Sequence, residues 1–344
     1  MSDTLKKDDI IGTEPASKCY LCGEIGVMLY EGLADQWFGV PGLWNLKRCP
    51  NGECGLVWLD PMPSKEDIWK AYRSYFTHSD YSTENRQKYA NFLDIFAVKI
   101  CAIFYKLFMR AVGFRSKEKL WRAKGDTMFL GNGTPGNRLL DVGCGKGAFI
   151  ARMRLHGWDA EGLEVDADAV KHARQINSLN IHLGTLESIQ FQDKSFDVIT
   201  LNHVIEHVHD PISLIRECLR ILKVGGKLVL ATPNIESFAH QIFGRNWSHL
   251  DSPRHLMLFT MKALSECVAR AGFQTIDTWC VPGYAEGAIP ASIEREEKAD
   301  GKQRTETSKY IEAATLKIRA FYRFFINKEE NAGEEIFLMA TKEG

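Results

Sequence analysis

The sequence predicts an α/β fold in which a seven-stranded sheet carries helices on both faces. Two observations lead to this prediction. Apolar segments typical of buried strands alternate with amphipathic segments of helical period through the second half of the 344-residue chain, and this order favours a parallel sheet covered by helices. In addition, the run LLDVGCGKG at 139–147 is typical of a strand that turns through glycines into a helix.

The elements follow one another at regular intervals. The strands are predicted near 137–142, 158–164, 180–183, 195–201, 226–232, 274–281 and 335–341. The helices are predicted near 146–156, 167–177, 211–222 and 260–272. In such a fold, ligands bind beyond the carboxyl ends of the strands, so we expect the functional residues at that edge.

The glycine turn predicts a particular kind of ligand. Gly143, Gly145 and Gly147 lack side chains and let the backbone approach a bound molecule closely. Their spacing differs from the G-x-G-x-x-G of dinucleotide sites, and the carboxylate of Asp141 would repel a phosphate. Glu164 follows at the end of the next strand, where an acid can hold both hydroxyls of a ribose. These features fit S-adenosylmethionine (SAM), which has an ammonium and a sulfonium group and no phosphate.

From these residues onward the chain resembles the class I SAM-dependent methyltransferases. Residues 139–147 resemble their first motif and 162–164 their second, and the resemblance continues through 194–199, 203–208 and 222–234. It implies a Rossmann-like methyltransferase sheet whose last strand is antiparallel, and SAM-dependent methyl transfer as the activity. The cofactor-binding residues that it implies are Asp141, Gly143, Gly145, Gly147, Glu164, Thr185, Leu186, Asn202 and His203. One departure is Thr185, which stands where the family often has an Asp that meets the adenine amine.

A second motif follows the fourth predicted strand. His203, Glu206 and His207 are spaced to share one face of a helical turn. The run resembles the E-x-x-E-H of metal-dependent O-methyltransferases of the ubiquinone pathway and of small-RNA 2′-O-methylation, with His203 in place of the first Glu. One interpretation is a divalent ion that binds the acceptor. The other is that His203 contacts SAM while Glu206 and His207 brace the loop.

Further candidate catalytic residues lie after the fifth predicted strand. Residues 234–256 form a long connection rich in polar and aromatic side chains, and such loops concentrate binding residues. His249 and His255 are candidate general bases, because histidine titrates near neutral pH; a structural, hydrogen-bonded role is the alternative for each. Together with His203 and His207, they are the predicted catalytic residues. A hydroxyl acceptor requires such a base, so we favour O-methylation.

Four of the nine cysteines are paired near the amino terminus. Cys19 and Cys22 form one short loop followed by glycine, and Cys49 and Cys54 form another. Two such loops supply the tetrahedral sulfur set that Zn²⁺ prefers, and four protein ligands make the ion structural. The segment resembles the small zinc-binding module that precedes some bacterial methyltransferase domains.

The predicted organisation is a zinc-ribbon-like module at 1–62, a helical connector or lid at 63–130, and a methyltransferase domain at 131–344 with a helical insertion at about 283–332. Basic, apolar helices are expected near 86–112 and 311–325. They either pack together, in one chain or a dimer, or lie on a membrane surface or a lipid-linked acceptor. The charged stretch 292–309 is predicted to be a surface loop.

Composition narrows the function classes. A net charge of −1 and a pI near 6.8 disfavour nucleic acid as the main partner. Residues 1–7 lack the apolar segment of a secretory signal, and single, scattered cysteines fit a reducing, cytoplasmic compartment. The predicted function is SAM-dependent methyl transfer to a small-molecule or sugar-containing acceptor. Lipid-linked acceptors are included in this prediction. An RNA methyltransferase that grips RNA with its ribbon and a non-catalytic SAM-binding protein are the alternatives.

Overall fold

A computed structural model describes residues 10–73, 92–282 and 285–344. The predictions about residues 1–7 therefore lie outside the described residues. Its strands are β1 (Thr13–Glu14), β2 (Val27–Leu33), β3 (Trp44–Arg48), β4 (Val57–Leu59), β5 (Met62–Pro63), β6 (Arg138–Val142), β7 (Asp159–Glu164), β8 (Ile181–Leu183), β9 (Phe196–Asn202), β10 (Leu222–Pro233), β11 (Met257–Leu258), β12 (Thr275–Val281) and β13 (Glu335–Thr341). Its helices are α1 (Phe92–Ala111), α2 (Phe114–Gly125), α3 (Ala148–Leu155), α4 (Ala167–Asn177), α5 (Leu186–Ile189), α6 (Pro211–Ile221), α7 (Phe238–Phe243), α8 (Met261–Ala271), α9 (Ala285–Asp300) and α10 (Glu306–Phe325).

The central sheet has seven strands in the order β12-β13-β10-β9-β6-β7-β8. All its neighbouring pairs from β10 to β8 are parallel, whereas β13 lies antiparallel between β10 and β12. β6 is central because its residues 139–142 are an almost uninterrupted buried apolar run, typical of a strand covered on both faces. The predicted α/β fold class, the seven strands and the antiparallel last strand are confirmed.

A smaller sheet is built by the amino-terminal cysteine module and a strand from the far side of the chain. Its order is β11-β4-β3-β2, and β11 pairs antiparallel with β4 through Met257 with Trp58 and Leu258 with Val57. Trp58 and Leu258 are buried, so the two parts share one hydrophobic core. The module is therefore continuous with the residues that follow β10, and its sheet extends beyond the predicted boundary at residue 62.

A buried ion pair joins the module to the loop that precedes β11. The Arg254 guanidinium is fully buried and donates two hydrogen bonds to Asp35, of 2.7 and 3.1 Å. It also donates to both carboxylate oxygens of Asp251, at 2.5 and 3.0 Å. Although burial opposes ionisation of Asp35, these bonds from Arg254 lower the pKa of its carboxyl below the ordinary value. The Arg254 charge is thus neutralised from both sides.

The helices outside the sheet form a second layer. Met109 of α1, Phe114 of α2 and Phe321 of α10 form a small buried cluster, and α10 also contacts α9. Among the described residues, no helix combines the length and the apolar character needed to cross a bilayer.

The prediction of a surface loop at 292–309 is wrong, because α9 covers the first half of this range and α10 begins at Glu306. Ile289 and Ile293 are buried on one face of that helix. Most of the charged residues that suggested a loop lie away from this face, where Glu296 pairs with Arg304 at 2.6 Å, whereas Arg295 is buried. A charged stretch without aromatics can thus be a helix whose apolar residues are few but regularly spaced.

We predict that Asp35→Ala lowers the free energy of unfolding by about 3–5 kcal/mol, because it leaves the buried Arg254 charge only partly compensated. Glu53→Ala is the matched control, since Glu53 also pairs across the module boundary, with Lys262 at 2.9 Å, but both side chains are more than half exposed. The control should cost at most about 1 kcal/mol. Urea unfolding of both variants makes the comparison; equal losses would contradict the assigned importance of the buried pair.

Candidate functional site

The glycine turn lies at the carboxyl end of β6. Gly143, Gly145 and Gly147 all have positive φ values, of 72°, 52° and 79°. A Cβ on Gly143 would come within 2.5 Å of Val204, and one on Gly147 within 2.4 Å of Leu179, whereas one on Gly145 would meet nothing within 4 Å. The outer two glycines therefore allow close packing, and the middle one leaves open space in which a ligand can approach the backbone.

Glu164 fixes this turn from the neighbouring strand. One carboxylate oxygen accepts a hydrogen bond of 2.8 Å from the Gly145 amide, and the other accepts from the amides of Val165 and Asp166, at 2.8 and 3.0 Å. A carboxylate offers about four acceptor positions, so one remains for a ligand hydroxyl. The acid is thus preorganised beside the open side of Gly145.

Asp141 is buried below the turn. Its carboxylate accepts a 2.7 Å hydrogen bond from the Thr200 hydroxyl. Burial, and to a smaller extent the charge of Glu164, raise the pKa of Asp141 to about 7. A cationic group bound nearby would return this carboxyl to its ionised form, so the position favours an ammonium or sulfonium ligand over a phosphate.

The next two strand ends provide apolar surface. Val165 and Leu183 are exposed although both are large and aliphatic, which suits the face of a purine ring. Leu186, a predicted cofactor residue, is instead almost fully buried in the core. Thr185 caps α5: its hydroxyl accepts from the Ser188 amide at 3.3 Å.

On the other side of β6, β9 ends at the exposed Asn202 and is followed by His203. His203 has a φ of 56°, an uncommon value for a residue with a side chain. Its Nδ1 lies 3.1 Å from Glu206 and its Nε2 lies 2.8 Å from Glu335. Both ring nitrogens are therefore engaged by carboxylates.

These contacts determine the charge of the cluster. Burial alone would lower the pKa of His203, but Glu335 and Glu206 raise it well above its ordinary value of 6.5. Burial also opposes ionisation of Glu206, yet the hydrogen bond from His203 lowers the pKa of this carboxyl to about 2. The second Glu206 oxygen accepts from the Thr232 hydroxyl at 2.9 Å. His203 is consequently a fixed imidazolium at neutral pH.

The other predicted histidines have the opposite character. Nδ1 of His207 lies 3.1 Å from the Arg254 carbonyl oxygen and 2.9 Å from the Tyr72 hydroxyl, and Nδ1 of His255 lies 2.7 Å from the His249 carbonyl oxygen. Because a carbonyl only accepts, we assign the proton to each Nδ1, which leaves a lone pair on each Nε2. Burial, and then His255, lower the pKa of His207 to about 4, so His207 is neutral.

His249 completes the group. Its ring lies 6.4 Å from that of His203 and 5.3 Å from that of Trp247, centroid to centroid. Burial, followed by the charge of His203, lowers the pKa of His249 to about 3. Within the described part of the chain, its buried Nδ1 has no hydrogen-bond partner. A buried nitrogen without a partner costs free energy, which a bound acceptor could recover.

The structure thus brings the predicted residues together in two adjoining groups. Asp141, the glycines and Glu164 form one, while the four histidines form the other, and His203 connects them because it follows the strand next to β6. Glu206, His207 and His255 also offer ligand atoms within 4.8 Å of one another, a set of nitrogen and oxygen donors that suits a divalent transition metal.

The four paired cysteines also converge. The sulfurs of Cys19 and Cys54 lie 3.7 Å apart, those of Cys22 and Cys49 lie 3.3 Å apart, and all four lie within 4.8 Å of one another. A tetrahedral zinc site with four sulfur ligands separates its sulfurs by about 3.8 Å. The cluster could therefore bind zinc, and it would then hold β3 and β4 against the first cysteine loop.

Sequence reasoning missed several residues that shape the site. Glu335, Arg254 and Asp35 come from segments distant in sequence, and none lies in a recognisable motif. Glu335 could have been noticed, because a carboxylate at the start of an otherwise apolar strand is unusual and suggests a buried partner. Asp35 gave no comparable signal.

Comparison with known proteins agrees with this geometry. A family model described as a methyltransferase domain matches residues 114–278. A probable S-adenosylmethionine-dependent methyltransferase of Mycolicibacterium smegmatis is 29% identical over 178 residues, which are 49% of this chain and 65% of that protein. A ubiquinone biosynthesis O-methyltransferase of Aliivibrio fischeri is 36% identical over 124 residues, which are 33% of this chain and 52% of that protein.

Among solved structures, a SAM-dependent methyltransferase from Archaeoglobus fulgidus has a TM-score of 0.45 and 19% identity, covering 70% of this chain and 100% of that one. The chain spans less than two thirds of the length of the two relatives named above. Residues 114–278 thus match a methyltransferase domain, and the sheet and the glycine turn agree with a fold of the class I SAM-dependent methyltransferase type.

We predict that Glu164→Gln weakens the binding of S-adenosylhomocysteine about tenfold or more, because a charge-assisted hydrogen bond to the ribose is lost. Glu161→Gln is the control: Glu161 is also a buried acid of β7, but it binds Arg138 and His182 instead of the turn. Titration calorimetry measures both. Equal affinities of Glu164→Gln and the unaltered protein would contradict the assigned role.

We also predict about one zinc ion per purified chain. Cys22→Ser should lose the metal and lower the melting temperature, because a structural site needs all its ligands. Cys101→Ser, which changes a free thiol of α1 away from the cluster, should keep both unchanged. Elemental analysis and thermal unfolding provide the measurements, and full zinc content in Cys22→Ser would exclude this four-sulfur site.

Proposed function

We propose that this protein transfers the methyl group of SAM to a hydroxyl oxygen of a small-molecule or sugar-containing acceptor, with lipid-linked acceptors included. The observation that carries the proposal is the position of His203. It lies at the end of β9, next to the glycine turn of β6, and within 6.4 Å of the His249 ring. Cofactor and acceptor would thus meet at one edge of the sheet, as an in-line displacement requires.

In this reaction the acceptor oxygen forms a bond to the methyl carbon, and the bond between that carbon and the sulfonium sulfur breaks. The sulfur keeps the bonding electrons, so S-adenosylhomocysteine leaves as a neutral thioether. The hydroxyl proton must go to a base. His249, with its unpartnered Nδ1, and His207, with a lone pair on Nε2, are neutral imidazoles within this site.

The charge of His203 supports ionisation of the acceptor hydroxyl. The His203 imidazolium stabilises negative charge that develops on the acceptor oxygen. Glu206 and Glu335 hold this imidazolium in place, and their own charges favour the sulfonium of the cofactor. The pair of carboxylates around one imidazolium thus suits a site that must accommodate a cation and a developing anion together.

A small-molecule acceptor is consistent with the relatives named as ubiquinone biosynthesis O-methyltransferases. Trp247, whose ring packs beside that of His249, is fully buried. This aromatic side chain gives the histidine group an apolar wall, which suits a compact hydroxyl compound or the head of a larger molecule.

The test is incubation of the purified protein with methyl-labelled SAM and a metabolite and lipid extract, followed by mass spectrometry of the labelled product. We expect acceptor-dependent release of S-adenosylhomocysteine and a label on oxygen. His249→Gln should lower kcat about a hundredfold or more, while S-adenosylhomocysteine affinity stays within about twofold of the unaltered protein.

His156→Gln is the matched control, because His156 lies at the end of α3 and hydrogen-bonds Asn132 away from the site. It should retain full activity. A label on nitrogen or carbon would overturn O-methylation, and full activity of His249→Gln would remove this histidine from the mechanism. If added Co²⁺ stimulates the activity and Glu206→Gln abolishes this stimulation, the acceptor oxygen binds a metal ion.

A further inference from the structure

The outward surface of α1 is unusually apolar for an exposed helix. Phe96, Ile100, Ile103, Phe104, Leu107 and Phe108 are each between 38% and 67% exposed. Their spacing of three and four residues places them on one stripe, which we name the outer face of α1. Scattered exposed apolar residues are ordinary, but a continuous stripe of this size marks an interaction surface.

The opposite side of α1 already has its partner within the chain. Met109 is fully buried against Phe114 and Phe321, with Tyr105 and Phe325 packed around them. α1 therefore packs on α10 with one side, and the outer face is the side that this packing leaves exposed. An interaction at the outer face would not require α1 to leave the fold.

Positive charge accompanies this stripe. Lys99, Lys106 and Arg110 are exposed along one edge of the outer face, and residues 96–111 contain no acid. α2 adds Lys117, Lys119, Arg122 and Lys124, whereas its single acid, Glu118, is buried beside Arg122 at 3.8 Å. Because the whole chain has a net charge of −1, this is a local concentration of positive charge.

We propose that the outer face of α1 and its basic edge bind the surface of a bilayer that contains anionic phospholipids, with α1 lying in the plane of that surface. Apolar side chains would enter the boundary between head groups and acyl chains, while the lysines and Arg110 meet phosphate groups. Lys and Arg stems suit this depth, because they are apolar up to their charged ends.

Charge favours a bilayer over a second copy of this chain. In an antiparallel pair of α1 helices related by a twofold axis, the two basic edges would lie side by side. Lys99, Lys106 and Arg110 of each copy would then repel those of the other, and residues 96–111 contain no acid to compensate. An anionic surface removes this repulsion and attracts the basic residues of α2 as well.

The position of α1 connects this surface to the proposed acceptor site. α1 packs on α10, and α10 packs on α9. α9 in turn holds the segment beside His249: Arg295 donates to the carbonyl oxygens of Trp247 and Ser248, at 3.0 and 3.1 Å. A lipid-linked acceptor could thus be presented at the bilayer surface. Binding itself does not depend on the proposed methyl transfer.

The test is flotation of the full chain with vesicles of phosphatidylcholine alone or mixed in equal parts with phosphatidylglycerol. We expect binding to the mixed vesicles that weakens with salt, and little binding to phosphatidylcholine alone. Phe104→Gln and Leu107→Gln should each lower the partition coefficient about tenfold. Lys99→Gln and Lys106→Gln should each lower it about fivefold.

Leu155→Gln is the matched control, because Leu155 is 89% exposed on α3 and far from the outer face; its partition coefficient should not change. Unaltered circular dichroism and S-adenosylhomocysteine affinity would show that each variant is folded.

No vesicle binding by the unaltered chain would overturn the proposal, as would equal effects of Phe104→Gln and Leu155→Gln. If Phe104→Gln instead dissolves a dimer that binds no vesicles, the outer face belongs to a second copy. Loss of methyl transfer without loss of vesicle binding would contradict the proposed function alone.

Discussion

The arrangement of the acceptor side depends on one buried cation. Arg254 can lie in the core only because Asp35 and Asp251 neutralise it, since removing an unpaired guanidinium from water costs several kcal/mol. Asp35 belongs to the cysteine module and Asp251 to the segment that carries His249 and His255. The ion pairs therefore tie the conformation of the histidine segment to a part of the chain that is more than two hundred residues away.

Much of the catalytic half could be predicted from the sequence, because its information is local. The run at 139–147 determines a turn through its glycines, and the alternation of strands and helices determines the order of a parallel sheet. The cysteine pairs could be predicted for the same reason, since each pair lies within one short loop. The predicted strand positions agree with the observed ones to within a few residues, β10 excepted, which begins earlier than expected.

What could not be predicted depends on long-range packing. The strand β11 joins the module through two residues whose sequence, Met257-Leu258, is merely apolar. The partner of His203, Glu335, lies 132 residues away. The helix in the charged stretch 292–309 could not be predicted from that stretch alone. Its buried stripe of Ile289 and Ile293 begins before residue 292. The amino-acid composition of a segment predicts only its average exposure. A helix can pack against the core with only one buried residue in each turn.

Protonation of the histidines is a further property that only the fold determines. Four imidazoles of identical intrinsic chemistry occupy one edge, yet His203 lies between two carboxylates and is charged, while His207 and His249 are desolvated and neutral. In the proposed reaction, this division would supply an electrostatic stabiliser and proton acceptors from a single residue type. The difference requires burial around His207 and His249 and carboxylates around His203. The spacing of the histidines in the sequence predicts neither.

The pairing of β11 with β4 bears on how such a chain can be recombined. A catalytic domain separated from the cysteine module would have an unpaired strand edge at β11. Its buried Arg254 would keep only Asp251 as a counter-ion. Exchanging modules between related chains would therefore succeed only when β4, Asp35 and the segment that ends in β11 are transplanted as one unit. Inheritance of the acceptor pocket and of the cysteine module should accordingly be coupled.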